Sequence, residues 1–433
     1  MINPDQIPQK LTRVSYSSAT SHRTCPQMWA YRTLDGIHST KEAPARDFGS
    51  WWHLVVALEA FDLGQHIGSL LFAPQKLSAG PITLTLNDEG DGYLTEHGSV
   101  RTGRGVIYLA GIYWRTLDHE TQEQWTDTLG ATLPDRLTYM MAEWQDAWSD
   151  SYRNELPIAI EMPFTMGTDP GLSATGIIDL IYYDVARRVF VVRDYKTSKD
   201  LQASTTAQDL MNSQLHLYGL AAETWLGELP ADALTHLGIT GTPTLGAVSY
   251  DRARSVHPKA PQLTTTGTLS KAVNAYDRRT YREFCEGPDG NGALWGEPGE
   301  YVKTGKRAGE PKFGRYQADP KVIAHLDTLP ERERWFSRTL TLFNRGAAES
   351  HLAALQHTQA DQIRTFGFWQ ERGEAPRNYG RACSWCDYAE LCKISMVGGA
   401  RGEYPLDTYG LALKETKDLM MVDNPVHLGE RGN

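Results

Sequence analysis

The sequence predicts an α/β protein with a mixed central sheet flanked by helices. Three observations carry that prediction. Three consecutive apolar runs, "LPIAIEMPFTM", "ATGIIDLIYYD" and "VFVVRDY", read as strands, the last two joined by the short turn "VARR". A long stretch, "STTAQDLMNSQLHLYGLAAETWLG", then reads as an amphipathic helix, and "LTHLGITGTPTLGAVSYDR" supplies one or two further strands. Helical segments stand on both sides of this block. The order helix, three strands, helix, strand is that of an α/β core with a mixed sheet.

The flanking elements follow from local signals. "SSATSHRTCPQMWAYRTLDG" opens on hydroxylated residues and reads as one capped helix. "RDFGSWWHLVVALEAFD" is apolar enough to be a buried helix. Residues 64–135 are mixed and Gly-rich and give no element order; a helix follows near 136–148. Residues 251–322, rich in Gly, Pro, Lys and Arg, read as an excursion on the core. "PERERWFSRTLTLFNRGAAESHLAALQHTQADQIR" reads as helix throughout, and the polar end of the chain as a frayed tail. The expected organisation is N-terminal helices at 1–63, a partly helical insertion at 64–150, the core at 151–250, the basic excursion at 251–322, C-terminal helices with a cysteine cluster at 323–400, and a tail at 401–433.

Composition narrows the class. The 433 residues are 40% hydrophobic and 22% charged, ordinary for a soluble globular protein. No stretch approaches the roughly 18 apolar residues that span a membrane. The opening "MINPDQIPQK" lacks the charged-then-apolar pattern of a signal peptide, so the expectation is a cytoplasmic protein. A net charge of −10 argues against a protein coated with basic surface. It leaves room for a local positive groove, and it fits a carboxylate-rich site that needs a divalent metal. Five cysteines, an odd and low count, argue against a disulfide framework.

The chemistry concentrates at the end of the third strand. Residues i and i+2 of a strand share a face, so Asp194 and Lys196 stand side by side. By itself this is a strand-end ion pair. Asp179, flanked by apolar residues on the preceding strand, changes the reading: a carboxylate there is costly unless paired or bound to metal. The short turn makes the two strands antiparallel neighbours and brings Asp179 towards Asp194. Their repulsion is relieved by a divalent cation. Glu161, on the strand before, adds a third acid, either beside the site or at a strand edge. His53 adds an imidazole on the buried helix. Gln214 and Tyr218 lie four apart on one helix face.

Taken in order, these residues resemble the PD-(D/E)XK nuclease superfamily in its RecB-like branch: His53 in "GSWWH", Asp179 in "GIID", Asp194 to Lys196 in "DYK", and Gln214 to Tyr218 in "QLHLY". The resemblance implies a restriction-endonuclease-like core. It also implies that Asp179 and Asp194, with His53 and the Tyr195 carbonyl, hold Mg²⁺ or Mn²⁺, hard ions that favour oxygen ligands. Lys196 then positions the attacking water or stabilises developing charge, and Gln214 and Tyr218 contact the substrate strand or support the site.

"CSWCDYAELC" places Cys383, Cys386 and Cys392 within ten residues. Three thiols this close call for a fourth ligand, either Cys25 or Cys285. A four-cysteine zinc site and an iron–sulfur cluster both suit the spacing. The same resemblance implies a [4Fe–4S] cluster on Cys25, Cys383, Cys386 and Cys392. RecB-like exonucleases of CRISPR adaptation modules and AddB-type nucleases carry one cysteine before the core, often followed by Pro as in Cys25–Pro26, and three after it. Such a cluster ties the two ends of the chain together and converts its binding energy into folding energy.

There is no G-x4-G-K-[ST] motif, since "TGKR" at 304–307 lacks the first Gly and the hydroxyl, so ATP use is not expected. A free-standing chain of this build is similar to nucleases encoded by bacteriophages. The implied activity is hydrolysis of DNA at ends or single strands, with Lys303, Lys306, Arg307, Lys312 and Arg315 as a candidate phosphate-binding strip and no membrane partner. The alternatives are an endonuclease of the same fold, a DNA-end-binding or recombination partner with an idle site, and a zinc-stabilised structural protein.

Overall fold

The computed structural model describes residues 11–413 and 426–428, apart from 202–212, 271–277, 329–334, 397–404 and scattered shorter runs. Ser15 ends a short strand, β1 (Arg13–Ser15), and caps the helix after it, its hydroxyl accepting the Ser18 N–H at 3.1 Å. The expected single helix is in fact two, α1 (Tyr16–Thr24) and α2 (Pro26–Thr33), with Cys25 extended between them (φ −160°, ψ 113°). Pro26 is the cause: it lacks an N–H and biases the residue before it away from helix, while suiting the first position of the next one.

The third helix, α3 (Pro44–Ile67), is capped by Gly68 in the left-handed conformation and is buried along most of its length. Around it wrap an antiparallel meander, Lys76–Ala79, Ile82–Leu86, Tyr93–Thr95 and Gly98–Val100, and three helices, α4 (Gly103–Thr116), α5 (His119–Leu129) and α6 (Leu133–Ala147). These elements order the region that the sequence left open. Trp51, Trp52, Trp125 and Trp144 form the heart of one core there.

The central strands are β2 (Glu155–Asp169), β3 (Leu172–Asp184) and β4 (Val189–Ser198), followed by α7 (Ser213–Glu228) and β5 (Leu245–Arg254). The early part of the predicted long helix lies outside the described residues. The part that is described is not amphipathic. Ten of its residues are buried, because α7 is clasped between the sheet and the long helix α8 (Arg345–Arg372). Where helix was expected at 336–342 there is a strand, β6 (Phe336–Leu342), antiparallel to β5. "FSRTLTL" alternates and carries two β-branched threonines, and Asn344 starts α8 only afterwards by accepting the Ala347 N–H at 3.0 Å. Helix α9 (Ala389–Met396) carries the last cysteine. Where a frayed tail was expected, Leu411–Leu413 pairs with Ile37–Ser39, and β7 (Val426–Leu428) lies parallel to β2.

The sheet order is β6-β5-β4-β3-β2-β7. Pairs β2/β3, β3/β4 and β5/β6 are antiparallel, whereas β4/β5 and β2/β7 are parallel. Helices α3 to α6 cover one face, α7 and α8 the other. One detail positions everything below. β2 runs along the whole of one edge of β3. On the opposite edge β3 pairs with β4 only from Leu180 to Asp184, and with β1 only from Ser173 to Thr175. Between them the sheet forks, and residues 176–179 face the opening.

Candidate active site

Asp179 stands at the apex of the fork. The last β3–β4 pair is Leu180 with Arg193, so the next β4 residues have lost their ladder partner. The Asp179 carboxylate takes its place, Oδ2 accepting the Tyr195 N–H at 2.7 Å. This bond secures both the carboxylate and the backbone it replaces. His53 reaches the same oxygen from α3, Nδ1 lying 3.4 Å from Oδ2. Gly49, one turn earlier on α3, permits this approach: a Cβ there would lie 3.0 Å from the Thr197 hydroxyl at the end of β4.

Glu161 is opposite Asp179 in the β2–β3 register, between the pairs Ile160–Leu180 and Met162–Ile178. It has φ +40°, a conformation costly for a side-chain-bearing residue, typically about 1–3 kcal/mol. One ligand atom each from His53, Glu161 and Asp179 lies within 4.8 Å of the others, the one such group of three among the described residues. Glu161 Oε1 is buried and has no hydrogen-bond partner. The sequence alone had left Glu161 between a site residue and a strand-edge acid; the fold puts it beside the other two.

Asp194 and Lys196 share a face as the alternation requires, with Nζ 2.6 Å from Oδ2. Asp194 is 1% exposed, whereas the Lys196 side chain is 39% exposed and opens towards solvent. Glu161, Asp179 and Asp194 thus form a row across three neighbouring strands. Burial dominates their electrostatics. It pushes Asp179 up to about 6, partly relieved by Lys196 and the Tyr195 N–H. Burial and then Asp179 push Asp194 up to about 6. Glu161 is raised well above the usual range by burial and then by the two aspartates. Burial lowers His53 to about 4, so at neutral pH it offers a lone pair, not a charge. Burial would lower Lys196, but Asp194 and Asp179 outweigh it and hold the ammonium above its ordinary value. Three acids that resist ionisation, beside a neutral imidazole and an orphaned oxygen, suit a hard divalent cation.

Gln214 and Tyr218 meet on α7, Nε2 donating to the phenol at 2.9 Å. Burial first, and the nearby Asp194 second, keep the phenol protonated. The Tyr218 ring lies against Gly176, where a Cβ would come within 2.9 Å of it and 2.7 Å of Phe164. The glycine of "GIID" and the tyrosine of "QLHLY" are therefore one contact. On the opposite face of the sheet, Arg193 makes two hydrogen bonds to Glu155 at 2.7 and 2.8 Å and lies over Tyr182. Arg338 joins Asp251 to Glu155 and lies on Trp148. This network, around a cavity of about 30 Å³, anchors the strand whose other face carries Asp194 and Lys196.

The cysteines divide as follows. Cys386 and Cys392 pack with Met28 and Tyr31 of α2, and both feel Cys25 electrostatically. Asn378 donates to the Arg23 and Thr24 carbonyls, just before Cys25, while its own carbonyl faces Cys383 Sγ at 4.0 Å. Gln27 adds two more ties, its N–H to the Pro376 carbonyl and its side-chain oxygen to the Ala375 N–H. Cys285 lies elsewhere, beside Phe284 and Tyr316. Of the basic strip, Lys303 and Lys306 are exposed, Lys312 faces Glu300 at 3.7 Å, and Arg315 donates to the Gly292 carbonyl; Arg307 lies outside the described residues. Two residues bordering the site were not singled out from sequence, Tyr250 and Arg252 on β5. The signal was available, since "YDR" lies near the end of its strand with the same alternation as "DYK".

The protein is thus an α/β chain whose mixed sheet, flanked by helices, forks around three acids and a lysine. A family model of the PD-(D/E)XK nuclease superfamily matches residues 13–393, and the chain belongs to that superfamily. No curated protein matches it closely enough to serve as a relative. Among the described residues, no helix is long and apolar enough to cross a membrane.

Proposed function

We propose that the chain is a metal-dependent DNA exonuclease that hydrolyses phosphodiester bonds at DNA ends, and that it carries a structural [4Fe–4S] cluster. The observation that carries the catalytic part is the Glu161 oxygen, buried without a partner beside Asp179 and His53. Asp179, Asp194, His53, Glu161 and the Tyr195 carbonyl would hold Mg²⁺ or Mn²⁺. Such an ion, when bound, lowers the pKa of a water and polarises a phosphoryl oxygen.

The rest is work for the chain's own groups. The Tyr195 N–H fixes the Asp179 carboxylate against rotation. Lys196, held by Asp194 and open to solvent, places its ammonium where a phosphate entering the fork meets it, and stabilises the added negative charge. Gln214 and Tyr218 brace each other at the fork and border the substrate path. The preference for ends follows the resemblance to RecB-like exonucleases.

For the cluster, the support is the resemblance together with the cysteine pattern of the sequence, Cys25 before the core and Cys383, Cys386 and Cys392 after it, of which Cys386 and Cys392 lie near enough to Cys25 to feel its charge. Soft thiolates suit iron–sulfur. The reading gives it a structural role, holding α1 and α2 to the segment around α9. Residues 151–250 then serve as the nuclease core, and the flanking segments as its support.

The test is digestion of end-labelled linear DNA beside a closed circle, with anaerobically prepared protein, Mn²⁺ or Mg²⁺, and Lys196→Ala in parallel. Loss of the linear DNA alone, abolished in the variant, is expected. Cutting of the circle would replace the exonuclease by an endonuclease, and no cleavage by cluster-loaded protein would overturn the catalytic reading.

A further inference from the structure

The site has a second wall. On β5, Arg252 is the Cα partner of Lys196 and Tyr250 is the Cα partner of Asp194. Partners on adjacent strands project from the same face, about 4.8 Å apart. Each of the two β4 residues of the site therefore has a neighbour on β5. Those neighbours also hold each other: the Arg252 guanidinium lies over the Tyr250 ring, 4.3 Å from its centroid. Tyr250 is 1% exposed and Arg252 9%. The guanidinium is thus fixed on an aromatic platform and inclined towards the level of Asp194.

Arg193 and Arg338 bind carboxylates on the opposite face. Arg254 donates to the Lys199 carbonyl and lies on Trp335. Arg252 stands beside Lys196, and the two like charges oppose each other. Two cations held side by side at the end of a row of acids match the layout of a phosphodiester chain, one phosphate at the acids and lysine and another beyond it. Arg252 is two strands from Asp179, about 10 Å across the sheet. That places it beside the acid row, on the β4–β5 side, where the next phosphate of a strand held at the acids would run. A planar, permanently charged fork also binds phosphate through two bonds at once.

We propose that Arg252 binds the phosphate adjacent to the one hydrolysed and sets the DNA strand along the β4–β5 side of the fork. This rests on the nuclease reading above.

The test is a short DNA with a single uncharged methylphosphonate walked through the positions around the bond first cut. It is cleaved by the full-length protein and by Arg252→Gln and Arg252→Lys, with thermal melts of all three. Wild type should lose about 10- to 100-fold when the phosphate next to the cut bond is neutralised. Arg252→Gln should be slower by a similar factor on all-phosphate DNA and insensitive to neutralisation at that one position, while staying sensitive elsewhere. Arg252→Lys should fall between. A purely structural arginine would shift the melt and leave the positional pattern of wild type, and that result would overturn the proposal, as would wild-type rates in Arg252→Gln. Failure of wild type to cut all-phosphate DNA would instead overturn the nuclease reading. The same cycle read as DNA affinity in Ca²⁺ would then decide the Arg252 contact without turnover.

Discussion

Removing the charge of Asp179 should make the metal-free protein more stable while depriving it of its metal. Asp179 is 7% exposed, and burial moves it from an ordinary 3.8 to about 6. That displacement corresponds to about 3 kcal/mol of destabilisation once the group is ionised in the folded protein. Between these two values the folded chain binds more protons than the unfolded one, so this contribution to stability falls as pH rises. The penalty is full above about pH 6 and absent below about 3.8. In Asp179→Asn the side-chain oxygen still accepts the Tyr195 N–H and the charge is gone. Denaturant unfolding in a chelator should show the variant more stable by up to about 3 kcal/mol at pH 8, with about half that advantage at pH 5. Added Mn²⁺ should stabilise wild type and have little effect on the variant. A variant no more stable than wild type at pH 8, or an advantage equal at both pH values, would refute the argument that this carboxylate is held ionised at a cost.

Four other perturbations test different parts of the structure. Lys196→Met should lower hydrolysis by at least about 100-fold while DNA affinity in Ca²⁺ stays near wild type; equal losses in both would mean that the ammonium only binds. Glu161→Gln should weaken Mn²⁺ binding measured by calorimetry, and unchanged affinity would return Glu161 to a strand-edge acid. Gly176→Ala should cost about 1–3 kcal/mol, because its Cβ meets the Phe164 and Tyr218 rings at under 3 Å, and a melt equal to wild type would show that the rings can yield. Cys25→Ser should abolish visible absorbance from bound iron and open the terminal segments to protease, whereas Cys285→Ser should do neither; the reverse outcome would exchange the two cysteines.

Much of the site was legible because it is local. A strand places i and i+2 on one face, so "DYK" fixed the Asp194–Lys196 pair without any knowledge of the fold. A short turn pairs the strands it joins, and that brought Asp179 to Asp194. Helix spacing did the same for Gln214 and Tyr218. The errors were also local. "FSRTLTL" was absorbed into the strong helix that follows it, and Pro26 was passed over as a break. The buried character of α7 could not be seen, because it depends on α8 arriving from more than a hundred residues later.

What the sequence by itself determined is the chemistry at each position: three acids, a lysine, an imidazole, three clustered thiols, and the period of the element carrying each. What only the tertiary structure decided is where partners change. β3 passes from β4 to β1, leaving Asp179 at an open fork, and that exchange depends on a strand at residue 13. Glu161 joins the site because β2 runs beside β3 with a strained residue at the level of Asp179. Arg252 borders it because β5 docks parallel to β4 in one register. These are contacts between elements far apart in the chain, selected by burial and pairing across the whole sheet, and no local period encodes them.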